Sequence, residues 1–289
     1  MKATAPLLLA CCVLTLATHA SEPVLWALDL GPNAGLGVSE TMSLDPLAVS
    51  PAVYPDGLDF LMDASYDTST SLLYVTGGYP EEPWWYQNTV HVYSGGPGGL
   101  AFVSSSNAGM DNYHWPAGIA YLDGSLYAVA YTGYYEDNVL VRIDSPGTVA
   151  QTVTQIGGVL GATNDMGTPF NLCPDGQGAL FSMFTPEATE STLYRLDPVT
   201  GAATVLRTYS GGIFQGSIEG LTVAGDSLYG INSDGDLWRF DLSAYEATFL
   251  GSTGFGAWTA LVTIPEPSTL GLLGLTLIIG ALRLRRRRP

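Results

Sequence analysis

Basic residues are scarce in this chain of 289 residues, which has 10 lysines and arginines against 27 aspartates and glutamates. The basic residues at the two ends are Lys2, Arg283, Arg285, Arg286, Arg287 and Arg288. Residues 21–264 hold 26 acidic residues and four basic ones: Arg142, Arg195, Arg207 and Arg239. A body with a net charge of −22 repels phosphate instead of releasing counterions from it, which excludes nucleic-acid binding.

The chain is not poor in hydrophobic residues. The chain is 46% hydrophobic and 11% aromatic, which is enough to bury a core and excludes a disordered acidic tail. The 35 glycines and the near absence of lysine favour a turn-rich, all-β body over helices.

Residues 1–20 have the features of a secretory signal peptide. Lys2 supplies the positive start, residues 7–16 form the apolar segment, and Thr18-His19-Ala20 is a small-x-small cleavage site. We therefore expect signal peptidase to cut between Ala20 and Ser21. A retained N-terminal anchor and a lipoprotein signal, with residues 8–11 as a loose lipobox, are the alternatives.

Cysteine is scarce as well, with three in the chain. Cleavage of the signal removes Cys11 and Cys12, so Cys173 has no partner for an internal disulfide. A catalytic Cys173 would need His91 or His114, and no family motif surrounds these residues. We therefore predict a small, buried Cys173.

The C-terminus contains three ordered features: Pro265-Glu266-Pro267, an apolar run, and an arginine cluster. Residues 268–284 form a 17-residue stretch, the lower limit for a membrane-spanning helix. The arginine cluster at Arg283 and Arg285 to Arg288 is a stop-transfer signal that stays in the cytoplasm. With an exported N-terminus, the body is expected outside the cytoplasm.

This order of features resembles the PEP-CTERM sorting signal of Gram-negative bacteria, which exosortase, a membrane protease, is thought to process. The resemblance covers residues 263–289. It implies that Pro265, Glu266 and Pro267 are part of a protease substrate, and that the body passes to the cell surface or extracellular matrix after cleavage. A plain membrane anchor is the alternative.

The body, residues 21–264, contains a repeat. One heptapeptide rich in β-branched, aromatic and leucine residues recurs at residues 24–30, 89–95, 139–145, 192–198 and 236–242. Four copies are preceded by two shorter strand-like units, the first at residues 57–60, 118–121, 169–172 and 220–223, and are followed by a further strand. Turn signals such as Asp123-Gly124 and Asp175-Gly176 separate the units.

Four strands per repeat of about 45–50 residues is typical of a β-propeller blade. Residues 257–262 form a first strand with no successors, so they predict a composite fifth blade with residues 24–30, in which one strand stays unassigned. The sequence thus predicts an all-β propeller of five four-stranded blades with circular closure; a β-sandwich or another repeat-built β fold is the alternative. Residues 193–201 also resemble the repeats of bacterial extracytoplasmic propellers.

Candidate binding residues are aromatic clusters beside acidic residues. They are Trp84, Trp85 and Tyr86, then Tyr113 with Trp115, and then Tyr131 with Tyr134 and Tyr135. Such rings suit sugar stacking or a protein partner, and the alternative is that they fill the ends of the blades or the central channel.

The sequence offers only weak evidence for metal binding or catalysis. Asp234 and Asp236 in a tight turn are a candidate calcium site without the remaining EF-hand positions, and a hairpin turn is the favoured interpretation. The spacing of Arg142, Arg195 and Arg239, each two residues before an aspartate, predicts repeated structural ion pairs. We find no nucleophile elbow, phosphate loop or zinc motif, and we predict no catalytic residues and no cofactor.

The sequence therefore predicts an exported, acidic cell-surface or biofilm-matrix protein, with a non-enzymatic binding scaffold for which polysaccharide is the expected ligand. An extracellular hydrolase or lyase and a calcium-stabilised adhesin are the alternatives.

Overall fold

The computed structural model describes residues 24–29, 39–44, 47–52, 60–78, 88–96, 99–132, 137–158, 171–187, 189–254 and 259–264. Within these ranges every regular element is a β-strand. The predicted all-β, propeller-like fold is confirmed. The predicted signal peptide, the Pro265-Glu266-Pro267 motif and the predicted transmembrane helix lie outside the described residues.

Twenty strands follow one another along the body. The first ten are β1 (Val24–Asp29), β2 (Ser39–Leu44), β3 (Leu47–Ala52), β4 (Phe60–Asp67), β5 (Leu72–Gly78), β6 (Thr89–Gly96), β7 (Gly99–Ser106), β8 (Tyr113–Leu122), β9 (Ser125–Thr132) and β10 (Asp137–Asp144). The others are β11 (Thr152–Gly158), β12 (Cys173–Pro174), β13 (Leu180–Glu187), β14 (Glu190–Leu196), β15 (Ala203–Ser210), β16 (Ile218–Ala224), β17 (Ser227–Asn232), β18 (Asp236–Asp241), β19 (Ala247–Ser252) and β20 (Thr259–Ile264).

The strands form antiparallel, four-stranded sheets. Four sheets each consist of consecutive strands, namely β4 to β7, β8 to β11, β12 to β15, and β16 to β19. A further sheet has the order β20-β1-β2-β3 and joins the two ends of the body. The first heptapeptide therefore lies second in its sheet, whereas the other copies lie third. The sequence left one strand of this sheet unassigned, whereas the structure adds two, β2 and β3.

Burial follows the position of a strand in its sheet. In β9, Leu126 to Ala130 are all buried, because both faces of this inner part of the sheet are covered. Residues of the outermost strands β7, β15 and β19 are nearly all exposed or half-buried. These strands carry large apolar side chains with half or more of their area exposed: Phe102, Val205 and Phe249. Four outermost strands pair with their neighbours through a register shift: β7, β11, β15 and β19. Such a shift is typical of a β-bulge, which increases the local twist.

The core is divided into five apolar clusters, and each lies between two sheets. Trp26 and Val262 of the end-joining sheet pack with Leu73. Tyr74 and Val92 pack with Ile119 and Leu126. The other three clusters bring together Leu140 with Leu180, Phe181 with Phe240, and Ile231 with Leu25. Every sheet therefore shares one cluster with the sheet before it and another with the sheet after it.

The first strand of each sheet forms the inside of the body. These inner strands are β4, β8, β12, β16 and β20, and each contacts the next, with β20 in contact with β4. Their backbones approach closely: a Cβ on Gly118 of β8 would lie 2.9 Å from the carbonyl carbon of Asn171, just before β12. Such an approach requires glycine.

Buried side chains link the inner strands. The amide nitrogen of Asn171 donates to the carbonyl oxygens of Met183 at 2.9 Å and Ile218 at 2.6 Å, and its oxygen accepts the N–H of Met183. Asn171 is fully buried, so these bonds satisfy a group that would otherwise destabilise the core.

Two sequence predictions on local structure need comment. The first inner strand was expected at residues 57–60, of which residues 57–59 lie outside the described residues, and β4 extends over Phe60–Asp67 with Ser65 opposite Tyr74. The predicted pair of Arg142 with Asp144 is confirmed, at 3.1 Å. The prediction is wrong for Arg195, which bonds with Asp175 of the preceding hairpin at 2.8 Å. Asp197 instead accepts the N–H groups of Val199 and Thr200 in a turn.

Candidate functional site

A cavity of about 270 Å³ lies where the inner strands end. All five inner strands contribute to it, and we call it the inner-strand cavity. Its lining residues are Ala64, Ser65, Tyr66, Asp67, Thr68, Tyr121, Leu172, Cys173, Pro174, Gly176, Leu221, Thr222, Val223, Leu261, Val262 and Thr263. The volume is just below the range of about 300–1,000 Å³ for ligand pockets, so the cavity suits one small chemical unit.

The depth of the cavity follows from burial along the strands. Leu172, Leu221 and Leu261 are almost completely buried. Thr68 and Gly176, which lie in the turns beyond the strand ends, are exposed. The inner-strand cavity therefore has an apolar floor and a solvent-accessible rim.

Three hydroxyl side chains line the wall between the floor and the rim. The hydroxyl oxygens of Thr222 and Thr263 lie 2.8 Å apart, and the Thr263 hydroxyl also donates to the carbonyl oxygen of Val223 at 2.9 Å. Because a hydroxyl has a single hydrogen, Thr222 must donate to Thr263. The oxygen of Thr222 then keeps acceptor capacity for a ligand.

The Ser65 hydroxyl can donate a hydrogen bond to a ligand. Its oxygen accepts the backbone N–H of Tyr121 at 2.8 Å, which connects β4 with β8. Among the described residues, no acceptor takes the hydrogen of the Ser65 hydroxyl. The cavity wall thus offers one hydrogen-bond donor and one acceptor from neutral side chains.

Two tyrosines supply aromatic surface. The ring of Tyr121 is stacked on Tyr74, with centroids 4.7 Å apart and an interplanar angle of 8°. The Tyr66 hydroxyl donates to the carbonyl oxygen of Gly95 at 3.0 Å. These contacts fix both rings, so a ligand would meet an ordered aromatic wall.

Asp67 is the acidic residue of the lining. Burial would raise the pKa of Asp67, but hydrogen bonds from the hydroxyls of Thr70 and Ser69 and from the Ser69 N–H outweigh it and lower the pKa. Asp67 is therefore a carboxylate at neutral pH. Its oxygens hold the turn between β4 and β5, and its charge gives the rim a negative potential.

Cys173 lies in the cavity lining and is buried, as predicted. Burial raises the pKa of the Cys173 thiol well above its usual value, and the nearby carboxyls of Asp63 and Asp175 raise it further. The thiol stays protonated at neutral pH, and a protonated thiol is a poor nucleophile.

The aromatic residues predicted from sequence are not part of this cavity as far as the structure describes them. Trp84, Trp85, Tyr86, Tyr134 and Tyr135 lie outside the described residues. Tyr113 is half-buried and packs against the cluster around Ile119, and Trp115 lies in β8. For Tyr113 the interpretation as a packing residue is the better one.

Of the candidate calcium ligands, Asp234 lies in the turn between β17 and β18, and Asp236 is the first residue of β18. The side-chain oxygen of Asn232 accepts the N–H groups of Asp234 at 3.1 Å and Asp236 at 2.7 Å, and its amide donates to the carbonyl of Phe214. The predicted hairpin turn is present. In the part of the chain that the structure describes, no three histidine, cysteine or acidic residues gather as metal ligands would.

Sequence reasoning missed Ser65, Thr222 and Thr263. A signal was present, since the inner-strand residue opposite the repeated aromatic ring of the second strand is small: Ser65 pairs with Tyr74, Cys173 with Phe181, and Thr222 with Tyr229. The register that aligns these residues is a property of the sheets, so the sequence alone could not place them around one cavity.

The repeated sheets and their shared clusters define a β-propeller-like repeat protein. More particularly, the chain belongs to the family described as a repeat of unknown function, DUF6923, whose profile matches residues 92–261. The PEP-CTERM protein-sorting motif matches residues 263–288. The protein is therefore exported and subject to exosortase-type processing at the membrane, as predicted.

Among solved structures, TolB from Acinetobacter baumannii is 11% identical, with a TM-score of 0.48 over 85% of this chain and 58% of TolB. A protein of Bacteroides fragilis NCTC 9343, to which 6-phosphogluconolactonase activity has been ascribed, is 10% identical (TM-score 0.46; 86% of this chain, 99% of that chain). A functionally unknown protein from Desulfotomaculum acetoxidans DSM 771 is 11% identical (TM-score 0.45; 83% and 86%). No curated protein matches the chain. The described residues include no helix of the length and hydropathy needed to span a membrane.

Proposed function

We propose that this chain is a cell-surface or extracellular-matrix protein whose body is a five-bladed, circularly closed propeller, and that this body is a non-enzymatic scaffold for binding exopolysaccharide. The five-bladed count is supported by the end-joining sheet β20-β1-β2-β3 and by the cluster of Leu25, Ile231 and Leu261, which joins this sheet to its neighbour β16–β19.

The observation that carries the binding function is the lining of the inner-strand cavity. Hydroxyls and tyrosine rings over an apolar floor are the groups that recognise sugars, which present hydroxyls at their edges and C–H groups on their faces. Glycoside hydrolysis needs two carboxyl groups with different pKa values on either side of the bond. Of the described lining residues only Asp67 is acidic, and its oxygens hold a turn. These features favour a binding scaffold over a hydrolase or lyase.

The scaffold's location depends on its C-terminus. We propose that cleavage near Pro265-Glu266-Pro267 releases the body from a membrane-spanning segment at residues 268–284 and its cytoplasmic arginines.

The aromatic clusters at residues 84–86 and 134–135 follow β5 and β9, the second strands of two neighbouring sheets. We propose that the tryptophan and tyrosine rings of both clusters offer a further surface for sugar stacking.

The test is to produce the full chain in a host with and without its exosortase, alongside a Glu266→Ala variant. Intact mass and cell fractionation should show a shortened chain in the surface or matrix fraction only when protease and motif are both intact. An uncut, membrane-bound chain in every strain would contradict the sorting part. Loss of matrix association after digestion of the polysaccharide supports the binding part, and matrix association that survives complete digestion contradicts it.

A further inference from the structure

The charge around the inner-strand cavity limits the ligand chemistry. Asp67 is ionised at neutral pH and lies in the lining. The four arginines of the body are not among the described lining residues. Arg142 and Arg195 are engaged by Asp144 and Asp175, and Arg207 donates to the carbonyl of Ala244 at 2.8 Å. An anionic group entering the cavity would meet a carboxylate without a compensating cation.

The hydrogen-bonding groups of the wall also limit the ligand. Ser65 can donate one hydrogen bond, and Thr222 can accept one. A hydroxyl group is both a donor and an acceptor, so neighbouring hydroxyls on one ligand can satisfy both residues without leaving a charge in the cavity. The apolar floor of Leu172, Leu221 and Leu261 disfavours a strongly hydrated ion.

The shape of the cavity limits how a polymer could enter. The buried residues Leu172, Leu221 and Leu261 line its inner part, and the rim at Thr68 and Gly176 is exposed. A volume of about 270 Å³ has no room for a polymer that passes through. Only the end of a chain can insert.

We propose that the inner-strand cavity binds the terminal sugar unit of a neutral glycan and discriminates against uronic-acid and other anionic termini. This inference rests on the proposed function, to which it adds the site and the ligand class. Ser65 and Thr222 bind hydroxyls of the terminal sugar, Tyr66 and Tyr121 border it, and Asp67 excludes carboxylates by its charge.

The experiment uses the full-length protein in mild detergent and an array of glucose-, galactose- and mannose-terminated oligosaccharides with their uronate-terminated counterparts. We expect the native protein to bind at least one neutral terminus and to bind the matching uronate at least tenfold more weakly. Thr222→Val and Ser65→Ala should each weaken neutral binding by about tenfold, the effect of one lost hydrogen bond. Thr154→Val, on the exposed part of β11, is the matched control and should leave binding unchanged.

Thr222→Val also removes the hydrogen bond to Thr263, so its folding is checked by thermal melting. Thr68→Lys avoids this problem because Thr68 is exposed. A cation at the rim beside Asp67 should raise the affinity for uronate termini by several fold relative to neutral ones. Native-like binding by folded Ser65→Ala and Thr222→Val, equal binding of uronates, or no change in Thr68→Lys would each overturn the inference and leave the proposed polysaccharide function standing. Absence of all glycan binding by the native protein would overturn both.

Discussion

The side-chain carboxyl group of Asp63 accepts the backbone N–H of Ile119 at 2.7 Å, although 56 residues separate the two in the chain. Its other oxygen accepts the N–H of Ala64 at 2.8 Å. The carboxyl group is buried, and this burial raises the pKa of Asp63 well above its usual value despite both hydrogen bonds. One side chain therefore joins the inner strands β4 and β8 of two successive repeats.

We expect Asp63→Asn to destabilise the body by about 1–3 kcal/mol, because an amide replaces one acceptor by a donor that faces an N–H group. Urea unfolding at neutral pH measures the change. Asp123→Asn is the control, since Asp123 is exposed in the hairpin turn between β8 and β9 and has a positive φ of 50°, which asparagine tolerates. Equal stability of the Asp63→Asn variant and the native protein would show that the link between the repeats contributes nothing.

The close approach of β8 to the residue before β12 predicts a second effect. Gly118→Ala places a methyl group 2.9 Å from the carbonyl carbon and 3.0 Å from the oxygen of Asn171. Both contacts are to backbone, which cannot move aside as a side chain can, so we expect a loss of about 1–3 kcal/mol. Gly96→Ala is the matched control, because its Cβ would meet no atom within 4 Å. Similar melting temperatures for the two variants would contradict the packing of these inner strands.

Much of the sheet pattern could be predicted from the sequence, because strand residues such as residues 139–145 and 236–242 alternate around a repeated aromatic or leucine position. The inner strands were harder to predict from the sequence. In β4, Asp63 and Ser65 are buried polar residues that disrupt an apolar pattern, so residues 57–60 looked like the better strand. Their burial is compensated by N–H groups of β8, and that partner becomes visible only when the repeats are packed together.

The cavity residues could not be found from sequence for a related reason. Ser65, Thr222 and Thr263 occur in three different repeats and have no common motif. They come together because circular packing of the sheets brings the ends of the inner strands to one place. Tryptophan and tyrosine clusters are easily recognised in a sequence, whereas the small residues opposite the repeated aromatic rings are recognised only once the register of the sheets is known.

Stability should depend on pH through His91. This side chain lies in β6, is 1% exposed, and burial lowers the pKa of His91 to about 4. The unfolded chain protonates near pH 6.5, so the unfolded state binds the additional proton between about pH 6.5 and 4. The stabilising contribution of neutral His91 is therefore complete above pH 6.5 and is lost as the pH falls toward 4.

We expect the difference in unfolding free energy between the native protein and His91→Gln to shrink by about 2–3 kcal/mol from pH 7.5 to pH 4.5. Subtracting one unfolding free energy from the other cancels the contributions of carboxylates that titrate in both proteins. Urea unfolding at the two pH values measures this difference. A constant difference would mean that His91 becomes protonated in the folded state without cost.

Asp175 should give a pH dependence in a lower range. Burial opposes ionisation, but hydrogen bonds from the N–H groups of Ala179 and Gln177, together with Arg195, outweigh it and lower the pKa of Asp175. A lowered folded-state pKa means that the ionised form stabilises the fold above the unfolded-state pKa of about 3.9, and that this contribution disappears as the pH falls further.

Asp175→Asn should therefore cost about 1–3 kcal/mol at pH 7 and distinctly less near pH 3, because the unfolded chain takes up the proton below a pKa of about 3.9. The control is Asp226→Asn, because Asp226 is exposed in the corresponding turn between β16 and β17 and its replacement should have a small effect on stability at pH 7. Urea unfolding at both pH values separates the two. Equal destabilisation by Asp175→Asn at pH 3 and pH 7 would mean that the effect comes from the shape of the turn. The ion pair of Asp175 with Arg195 would then not stabilise the hairpin beside the inner-strand cavity.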